Sequence, residues 1–579
     1  MNEETSFSLD PVPAIKDQEP YEVPSHPAPV DLKLSGNEGV TPPQELLQEL
    51  RDVDPDTLRS YPSARELEDR IADLHNVDPS RVLVTAGADD AMLSAFRSVL
   101  CPGRNIVVPV PTFVMVPRFA RLTGAEVREL EWTGSTYPTE RVLEATNPDT
   151  SVVPVVSPNN PSGATAGRET LLTLVDRVND ALIVLDHAYV EFADAEFDLT
   201  ETAIEQPNVV VLRTFSKAWG LAGLRVGYAI GPERVINWMR MAKSPYAVSD
   251  LSLKLAKRRL DTNRNDVDKF VASVRRERDE LVSVLTDIGA EPETSQANFV
   301  FAEFEDAEWT FDALAGQGIA TRIFPDKELL ADKLRITCPG DPDAFDQLER
   351  ALRTIYDPEA ILLDMDGVLA DVSGSYRQAI METAEQFGVE VTEQDISEAK
   401  MAGDANNDWQ LTQRLMADRG NDIPLEDITD QFQALYHGTE DREGLYRQED
   451  LLVDRAWLEF LSETYRLGIV TGRPRSDAER FLDLRNIAGL FDHMICMDDV
   501  DHLKPDPEPV QACLTHLSAN RAWFVGDTPD DMVAGREAGV LPVGVVPPGE
   551  TMDSVREPLR SAGASRVLAS PEDLDQLLP

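Results

Sequence analysis

The sequence predicts an α/β protein built of two doubly wound units in series. Three observations lead there. Its 579 residues are several times the length of one domain of about 100–200 residues. Short apolar, β-branched runs alternate with helix-like stretches, the order that builds parallel sheets. At Asp357-Pro358-Glu359 that alternation starts afresh.

Taken in order, residues 1–25 are acidic and Pro-rich and predict an N-terminal arm or disordered tail. They show neither the basic nor the apolar region of a signal peptide. Strands are expected at residues 81–85, 105–110, 151–156, 181–185 and 209–213. A charged helical stretch follows at 250–285, and a mixed segment then runs to Tyr356. This makes a first domain of 26–356. In a second domain, 360–579, strands are expected at 361–363, 467–470, 493–495 and 522–525. A polar, helical insertion without clear strands occupies about 372–453.

Composition narrows the function. Against 104 Asp+Glu stand 54 Lys+Arg, a net charge of −50. That excludes a general nucleic-acid binder and an electrostatic anchor on anionic membrane. Only 11 of the basic residues are Lys, with none between Lys33 and Lys217 or between Lys400 and Lys504. Two readings fit: a protein kept soluble in high salt, where self-repulsion is screened, or an ordinary acidic cytosolic one. Cys101, Cys338, Cys496 and Cys513 form no C-x-x-C pair and are expected to be reduced core thiols. No apolar run approaches the ~20 residues of a membrane span. A cytoplasmic location is expected.

Two constellations carry chemistry. In the first, Arg213-Thr-Phe-Ser216-Lys217-Ala-Trp-Gly-Leu-Ala-Gly-Leu-Arg225 follows an expected strand. A lysine in a glycine-rich loop can form a Schiff base with an aldehyde cofactor, and Ser216 and Arg225 can hold a phosphate. Asp186 closes a buried strand, where a carboxylate can keep a pyridine nitrogen protonated. Tyr189 and Asn160, in Ser157-Pro-Asn-Asn160-Pro-Ser-Gly163, can reach the ring's phenolic oxygen. Gly87-Ala88-Asp89 opens a helix whose N–H groups suit a phosphate. Phe113 can stack on the ring.

These segments, with Leu34-Ser-Gly-Asn37-Glu38, Tyr61-Pro62, Asn298-Phe299, Thr321-Arg322 and Leu334-Arg335-Ile336, resemble the fold-type I aminotransferases, in their histidinol-phosphate aminotransferase branch. The resemblance implies pyridoxal 5'-phosphate as cofactor. It makes Lys217 the Schiff-base lysine and proton carrier, Asp186 the partner of the ring nitrogen, and Tyr189 and Asn160 ligands of the ring oxygen. Ala88, Asp89, Ser216 and Arg225 would bind the phosphate. Tyr61 would reach the neighbouring subunit's cofactor, implying a homodimer. Arg335 would grip the carboxylate of glutamate, and Arg322 the phosphate or side chain of a small phosphorylated amino-acid or amino-alcohol substrate. The chain departs from the family's pattern at His187, where Glu is usual, at Phe113, where Tyr is frequent, and at Gly39-Val40-Thr41, where Asn-Pro is common.

In the second constellation, Ile361-Leu-Leu-Asp364-Met-Asp366-Gly367 ends a strand in two carboxylates. One can attack phosphorus while the other protonates the leaving oxygen. Thr471, Lys504 and Gly526-Asp527-Thr-Pro-Asp530-Asp531 lie at later strand ends. The ordered set resembles the haloacid dehalogenase superfamily of phosphohydrolases, with an inserted helical cap over a Rossmann-like core. The resemblance implies Asp364 as nucleophile and Asp366 as acid/base. Mg²⁺ would sit on Asp364, Asp366 and Asp527 with Asp531 in support, and Thr471 and Lys504 would hold the phosphoryl group. Within the insertion, the loop 400–409 is a candidate substrate reader.

Together the two resemblances imply successive steps of histidine biosynthesis: transamination between imidazole-acetol phosphate and glutamate, then hydrolysis of histidinol phosphate. The alternatives are another pyridoxal phosphate aminotransferase or a phosphothreonine-type decarboxylase. The second domain would then act on an unrelated substrate or regulate without hydrolysis.

Overall fold

Val, Ile and Leu dominate the strands of both sheets because helices cover both faces. The computed structural model describes residues 9–579 apart from 17, 52 and 263. The expected arm lies partly outside the described residues, and Pro13–Lys16 forms one helical turn in the rest of it. Two compact units emerge.

The first takes in residues up to Val23, Leu34–Glu303 and Phe324–Phe345. Its main sheet has seven strands: β1 (Val82–Thr85), β2 (Asn105–Val110), β3 (Glu126–Glu131), β4 (Thr150–Val156), β5 (Leu182–Asp186), β6 (Val209–Thr214) and β7 (Gly227–Ile230). Their spatial order is β1-β7-β6-β5-β4-β2-β3. Every residue of β1, β5 and β6 is buried. Leu83, Ile106, Val108, Val184 and Leu212 pack with Phe96 of helix α1 (Gly87–Val99) into one core.

Two features depart from the sequence reading. β7 runs antiparallel to both β1 and β6, so this sheet is not wholly parallel. A parallel return needs a crossover of a dozen or more residues, usually helical. The connection after β6 is long enough but carries no crossover helix, only the single turn Ala222–Leu224, and β7 returns directly beside β6. β3 was not expected because EVRELE is charged on both faces, as suits an edge strand. Beyond this sheet, β8 (Phe299–Glu303) pairs antiparallel with β9 (Lys333–Thr337), setting Phe301 opposite Arg335.

The second unit comprises Pro24–Lys33, Phe304–Ile323 and Asp346–Pro579. Its strands are β10 (Ala360–Leu363), β11 (Ala370–Asp371), β12 (Asp450–Leu451), β13 (Arg466–Val470), β14 (His493–Ile495), β15 (Ala522–Gly526), β16 (Leu541–Val545) and β17 (Val567–Leu568). Six form a parallel sheet ordered β14-β13-β10-β15-β16-β17. The helices α2 (Gln378–Gln386), α3 (Glu393–Ala402), α4 (Asp408–Ala417) and α5 (Leu425–His437) lie in the insertion between β11 and β12. Those two short strands pair antiparallel, so the chain enters and leaves the insertion side by side.

The segment Phe304–Ile323 contributes the helix Ala307–Gly316 to this unit. Its Trp309 ring lies 5.4 Å from that of Trp523 on β15. The buried Trp523 indole donates to the Thr354 carbonyl at 2.7 Å. Arg560 donates to Asp312 at 2.9 Å.

Cys338, Cys496 and Cys513 are buried thiols, but Cys101 is exposed, in the turn that follows α1. Its neighbours Pro102 and Gly103 hold that turn at the surface. Among the described residues no helix is long and apolar enough to cross a membrane.

Candidate active sites

In the first unit the loops at the carboxyl ends of the parallel strands converge, as such sheets favour. Lys217 follows β6, and its Nζ donates to the Gly36 carbonyl at 2.9 Å and stands 5.5 Å from the Tyr189 ring centre. A Cβ on Gly39 would run into the Lys217 carbonyl, so the strand-like entry loop can lie against the lysine loop only as glycine. The Tyr189 hydroxyl accepts from Asn37 at 3.1 Å and from Asn160 at 3.4 Å. Arg335 donates to Asn160 at 2.6 Å and to the Ser35 carbonyl at 2.6 Å. Thr337 holds Asn37 at 2.8 Å.

The phosphate side is equally close-knit. Arg225, at φ 52°, lies 3.4 Å from the Ser216 hydroxyl and 3.3 Å from Asp89. Ala88 sits in the first turn of α1, where backbone N–H groups lack partners within the helix. Phe113 packs, half-buried, against the sheet core. Asp186 ends β5 with 4% exposure and accepts from the Ala188 N–H at 3.1 Å. Burial, with no salt bridge to it among the described residues, pushes its pKa up to about 7.

The structure thus gathers Lys217, Tyr189, Asn160, Arg335, Ser216, Arg225 and Asp89 through these contacts. Tyr61 stands apart from them, 82% exposed and stacked on Tyr246 at 4.6 Å. Arg322 belongs to the second unit, on the strand Arg322–Ile323. Asn37 was quoted from the sequence without a role, and its contact with the Tyr189 hydroxyl needs the folded chain to appear. His187 is wholly buried, its Nδ1 3.3 Å from the Thr200 hydroxyl and 3.8 Å from Asp198.

In the second unit Asp364 follows β10, Thr471 follows β13 and Asp527 follows β15. Oxygen atoms of Asp364, Asp527 and Asp531 lie within 4.8 Å of one another, all three residues buried. The Lys504 ammonium is 3.0 Å from Asp364 and 2.6 Å from Asp531. Burial alone would lower the lysine's pKa; Asp364 and Asp531 outweigh it and raise it. Burial pushes Asp364 up to about 7 and Asp527 well above the carboxylate range. Asp531 also caps the helix α6 (Pro529–Glu537) through Thr528 at 2.6 Å.

The Asp366 side chain takes a different path from the sequence expectation. Its carboxylate is bonded by Arg473 Nε at 2.5 Å rather than lying in the three-acid cluster. The loop at 400–409 docks onto the catalytic strand ends. The Asp404 and Ala405 N–H groups and the Asn406 amide all bond Asp530, at 2.9, 3.1 and 2.6 Å. Asn406 also donates to the Lys504 carbonyl at 3.0 Å.

Residues 31–355 match the family described as aminotransferase class I and II, more than half of the chain. The chain belongs to that family. Residues 361–545 match the haloacid dehalogenase-like hydrolases, so an aminotransferase domain is followed by a hydrolase domain. Histidinol-phosphate aminotransferase 1 of Archaeoglobus fulgidus is 33% identical over 330 residues, covering 56% of this chain and 99% of the relative. An imidazoleglycerol-phosphate dehydratase of Phytophthora nicotianae is 46% identical over 226 residues, 36% of this chain and 50% of the relative. The chain thus spans half the length of that relative. The solved histidinol-phosphate aminotransferase of Sinorhizobium meliloti shares the fold, with TM-score 0.55 and 23% identity over 60% of this chain and 97% of that one.

The aminotransferase family uses pyridoxal phosphate, and the hydrolase family uses Mg²⁺. Both groups suit the residues present. A buried carboxylate with a raised pKa at Asp186 is what a protonated pyridine nitrogen would relieve, and Arg225, Ser216 and the start of α1 offer donors to a phosphate. Three buried aspartates against one lysine leave uncompensated negative charge on hard oxygen ligands, the donor set that Mg²⁺ prefers.

Two tests arise here. Gly367 has φ 75°, and a Cβ there would strike Asp527. Gly367→Ala is expected to weaken Mg²⁺ binding about tenfold or more, read as a shift of the binding midpoint in a Mg²⁺ titration; an unchanged midpoint refutes a metal held by Asp527. Asp186 concerns pH. Its folded pKa of about 7 lies above the ordinary 3.8, so the unfolded chain sheds this proton first as pH rises. Its cost to stability is absent below pH 4, grows to about pH 7 and is then constant. Cofactor-free Asp186→Asn protein is therefore expected to melt higher than cofactor-free parent at pH 8 and level with it at pH 4. Equal melting at both pH values would show that Asp186 is not desolvated.

Proposed function

We propose a bifunctional enzyme. The aminotransferase domain, 26–356, exchanges an amino group between histidinol phosphate/imidazole-acetol phosphate and glutamate/2-oxoglutarate. The hydrolase domain, 360–579, removes the phosphate of histidinol phosphate. The first half rests on the linked set Asn37–Tyr189–Asn160–Arg335 beside Lys217, in a chain that matches two relatives named histidinol-phosphate aminotransferase along 97% or more of their length. The second half is supported by the buried Asp364–Lys504–Asp531 cluster. The Phytophthora relative, named for another imidazole phosphate, fits the same pathway.

In this reading pyridoxal phosphate supplies the electron sink, and the chain's residues bind, orient and move protons. Lys217 Nζ would hold the cofactor's aldehyde carbon and is the amine placed to take and return the substrate's proton. Asp186 holds the ring nitrogen. Tyr189 and Asn160 orient the ring oxygen. Arg225, Ser216, Asp89 and the Ala88 N–H hold the phosphate. Arg335 presents a two-pronged guanidinium to the carboxylate of glutamate. The exposed Tyr61 reaches the cofactor of a second copy in a homodimer.

In the hydrolase an Asp364 oxygen bonds phosphorus as the ester P–O bond breaks. Asp366 gives its proton to the departing alkoxide. Water then attacks the aspartyl phosphate, Asp366 takes that water's proton, and inorganic phosphate leaves. Lys504 and Thr471 hold the phosphoryl oxygens; the aspartates would hold Mg²⁺, which would supply further positive charge there.

The test compares phosphomonoesters on the full-length protein with Mg²⁺. Histidinol phosphate is expected to exceed O-phosphoserine and glycerol 3-phosphate at least tenfold in kcat/KM, and 2-oxoglutarate to accept its amino group without CO₂ release. Equal kcat/KM for the three esters overturns the hydrolase substrate; CO₂ release in place of amino transfer overturns the aminotransferase reading.

A further inference from the structure

Arg473 directly follows the Thr471-Gly472 pair, yet the proposed reaction assigns it nothing. Its side chain is wholly buried. The guanidinium lies over the Tyr376 ring at 4.8 Å and faces Phe481 at 5.5 Å. Nε donates to Asp366 at 2.5 Å. Nη1 donates to Glu449 at 2.9 Å and lies 3.4 Å from the Tyr436 hydroxyl. One planar cation thus joins the carboxylate that the reaction uses as acid and base to a second, buried carboxylate.

The second carboxylate stands at the hinge of the helical insertion. Glu449 immediately precedes β12, the strand on which the chain leaves the insertion. Its other oxygen accepts from Ser375 at 2.8 Å and from Tyr436 at 3.1 Å. Ser375 lies just after β11, where the chain enters, and Tyr436 lies on α5 of the insertion itself. Entry, exit and body of the insertion therefore meet at Glu449, and Arg473 carries that junction to Asp366. Arg473 itself is fixed on the sheet side, its N–H bonded to Thr471 Oγ1 at 3.2 Å and its carbonyl accepting from Met497.

We propose that Arg473 is a positioning residue that makes the placement of the Asp366 carboxylate depend on the insertion's hinge, through Glu449 and Ser375. This rests on the reading of Asp366 as the acid that protonates the leaving group. A swing of the insertion about the β11/β12 ladder moves Glu449 and Ser375. The guanidinium, unable to bond both carboxylates in every hinge state, shifts with them. Proton delivery then varies with the hinge state, and this matters for alkyl phosphates, whose alkoxide leaves poorly without a proton. It matters little for 4-nitrophenyl phosphate, whose phenolate departs unaided.

The leaving group therefore separates this role from a purely structural one. Full-length Arg473→Gln and Arg473→Lys are compared with the parent on histidinol phosphate, glycerol 3-phosphate and 4-nitrophenyl phosphate. The ratio of kcat/KM on 4-nitrophenyl phosphate to kcat/KM on the alkyl esters, which reports ester cleavage and not the later hydrolysis common to all three, is expected to rise at least tenfold in both variants. Lysine keeps the charge but cannot bridge two carboxylates, so it should not rescue. Glu449→Gln, which leaves the Arg473–Asp366 contact in place, is expected to raise the ratio at least threefold. Asp366→Ala is the control, and its ratio should rise most. An equal fall on all substrates for the Arg473 variants, with the control behaving as stated, overturns the proposal alone. An unchanged ratio in Glu449→Gln overturns the link to the hinge. A control with no change in ratio overturns the acid role of Asp366 and the proposal with it. Retention of cofactor absorbance and melting temperature identifies folded variants; should Arg473→Gln fail to fold, Arg473→Lys decides.

Discussion

Lys217→Ala protein is expected to lose both its visible cofactor absorbance and its amino transfer, the latter by about 10³-fold or more. The reason lies in what surrounds the amine. Nζ is the cationic group beside the Tyr189 ring, within 2.9 Å of the Gly36 carbonyl and near the Asn37–Tyr189–Asn160 set. The only other lysine among residues 34–253 is Lys243, which donates to the Val84 carbonyl at 2.9 Å and so is already engaged. No neighbour can substitute. Absorbance spectra with added pyridoxal phosphate, and glutamate-dependent turnover, measure the two losses. Persistence of a lysine-linked chromophore in the variant refutes the assignment. Hydrolysis of phosphate esters should be unchanged, since Lys217 lies in the other unit.

The second large effect is at Asp364. Asp364→Asn is expected to abolish Mg²⁺-dependent phosphate release, again by about 10³-fold or more, because the amide oxygen is a poor nucleophile toward phosphorus. The substitution is nearly isosteric in a site with 5% exposure, and it removes one of three crowded negative charges. The fold should tolerate it or gain stability, while Lys504 keeps Asp531 as its partner at 2.6 Å. Phosphate release with histidinol phosphate is the measurement, with unchanged aminotransferase turnover as the control for folding. Release within tenfold of the parent would mean that another group attacks phosphorus.

Both residues were legible in the sequence because each sits in a local pattern with a mechanical cause. A strand that ends in Asp-x-Asp-Gly, or a Ser-Lys loop after a buried strand, states its chemistry within about ten residues. Most strands of the two main sheets were legible for the same reason: runs such as Val-Val-Val-Leu at 209–212 are apolar on both faces. What sequence did not disclose depends on partners far along the chain. Asn37 acquires its place from Tyr189, 152 residues away. Arg473 is distinguished from the other arginines only by Asp366 and Glu449, each more than twenty residues distant. The reversal of β7 goes with a connection that carries no crossover helix, and β3 hides behind charges that an edge strand tolerates. Cys101 carries no sign of its exposure beyond the Pro-Gly that follows it.

The indole of Trp523 has a consequence for how this gene could be divided. Its hydrogen bond ends on Thr354 and its ring faces Trp309, two residues that fall within the stretch matching the aminotransferase family. A cut at the apparent junction near residue 357 would strip a fully buried aromatic of its cover and leave Arg560 without Asp312. Limited proteolysis there should therefore yield nicked chains that stay associated, and the C-terminal piece produced alone should be prone to clump. Co-expression of the two pieces should restore solubility, much as complementing fragments do, and fission of the gene into two free-standing enzymes would first require a new polar surface over that indole.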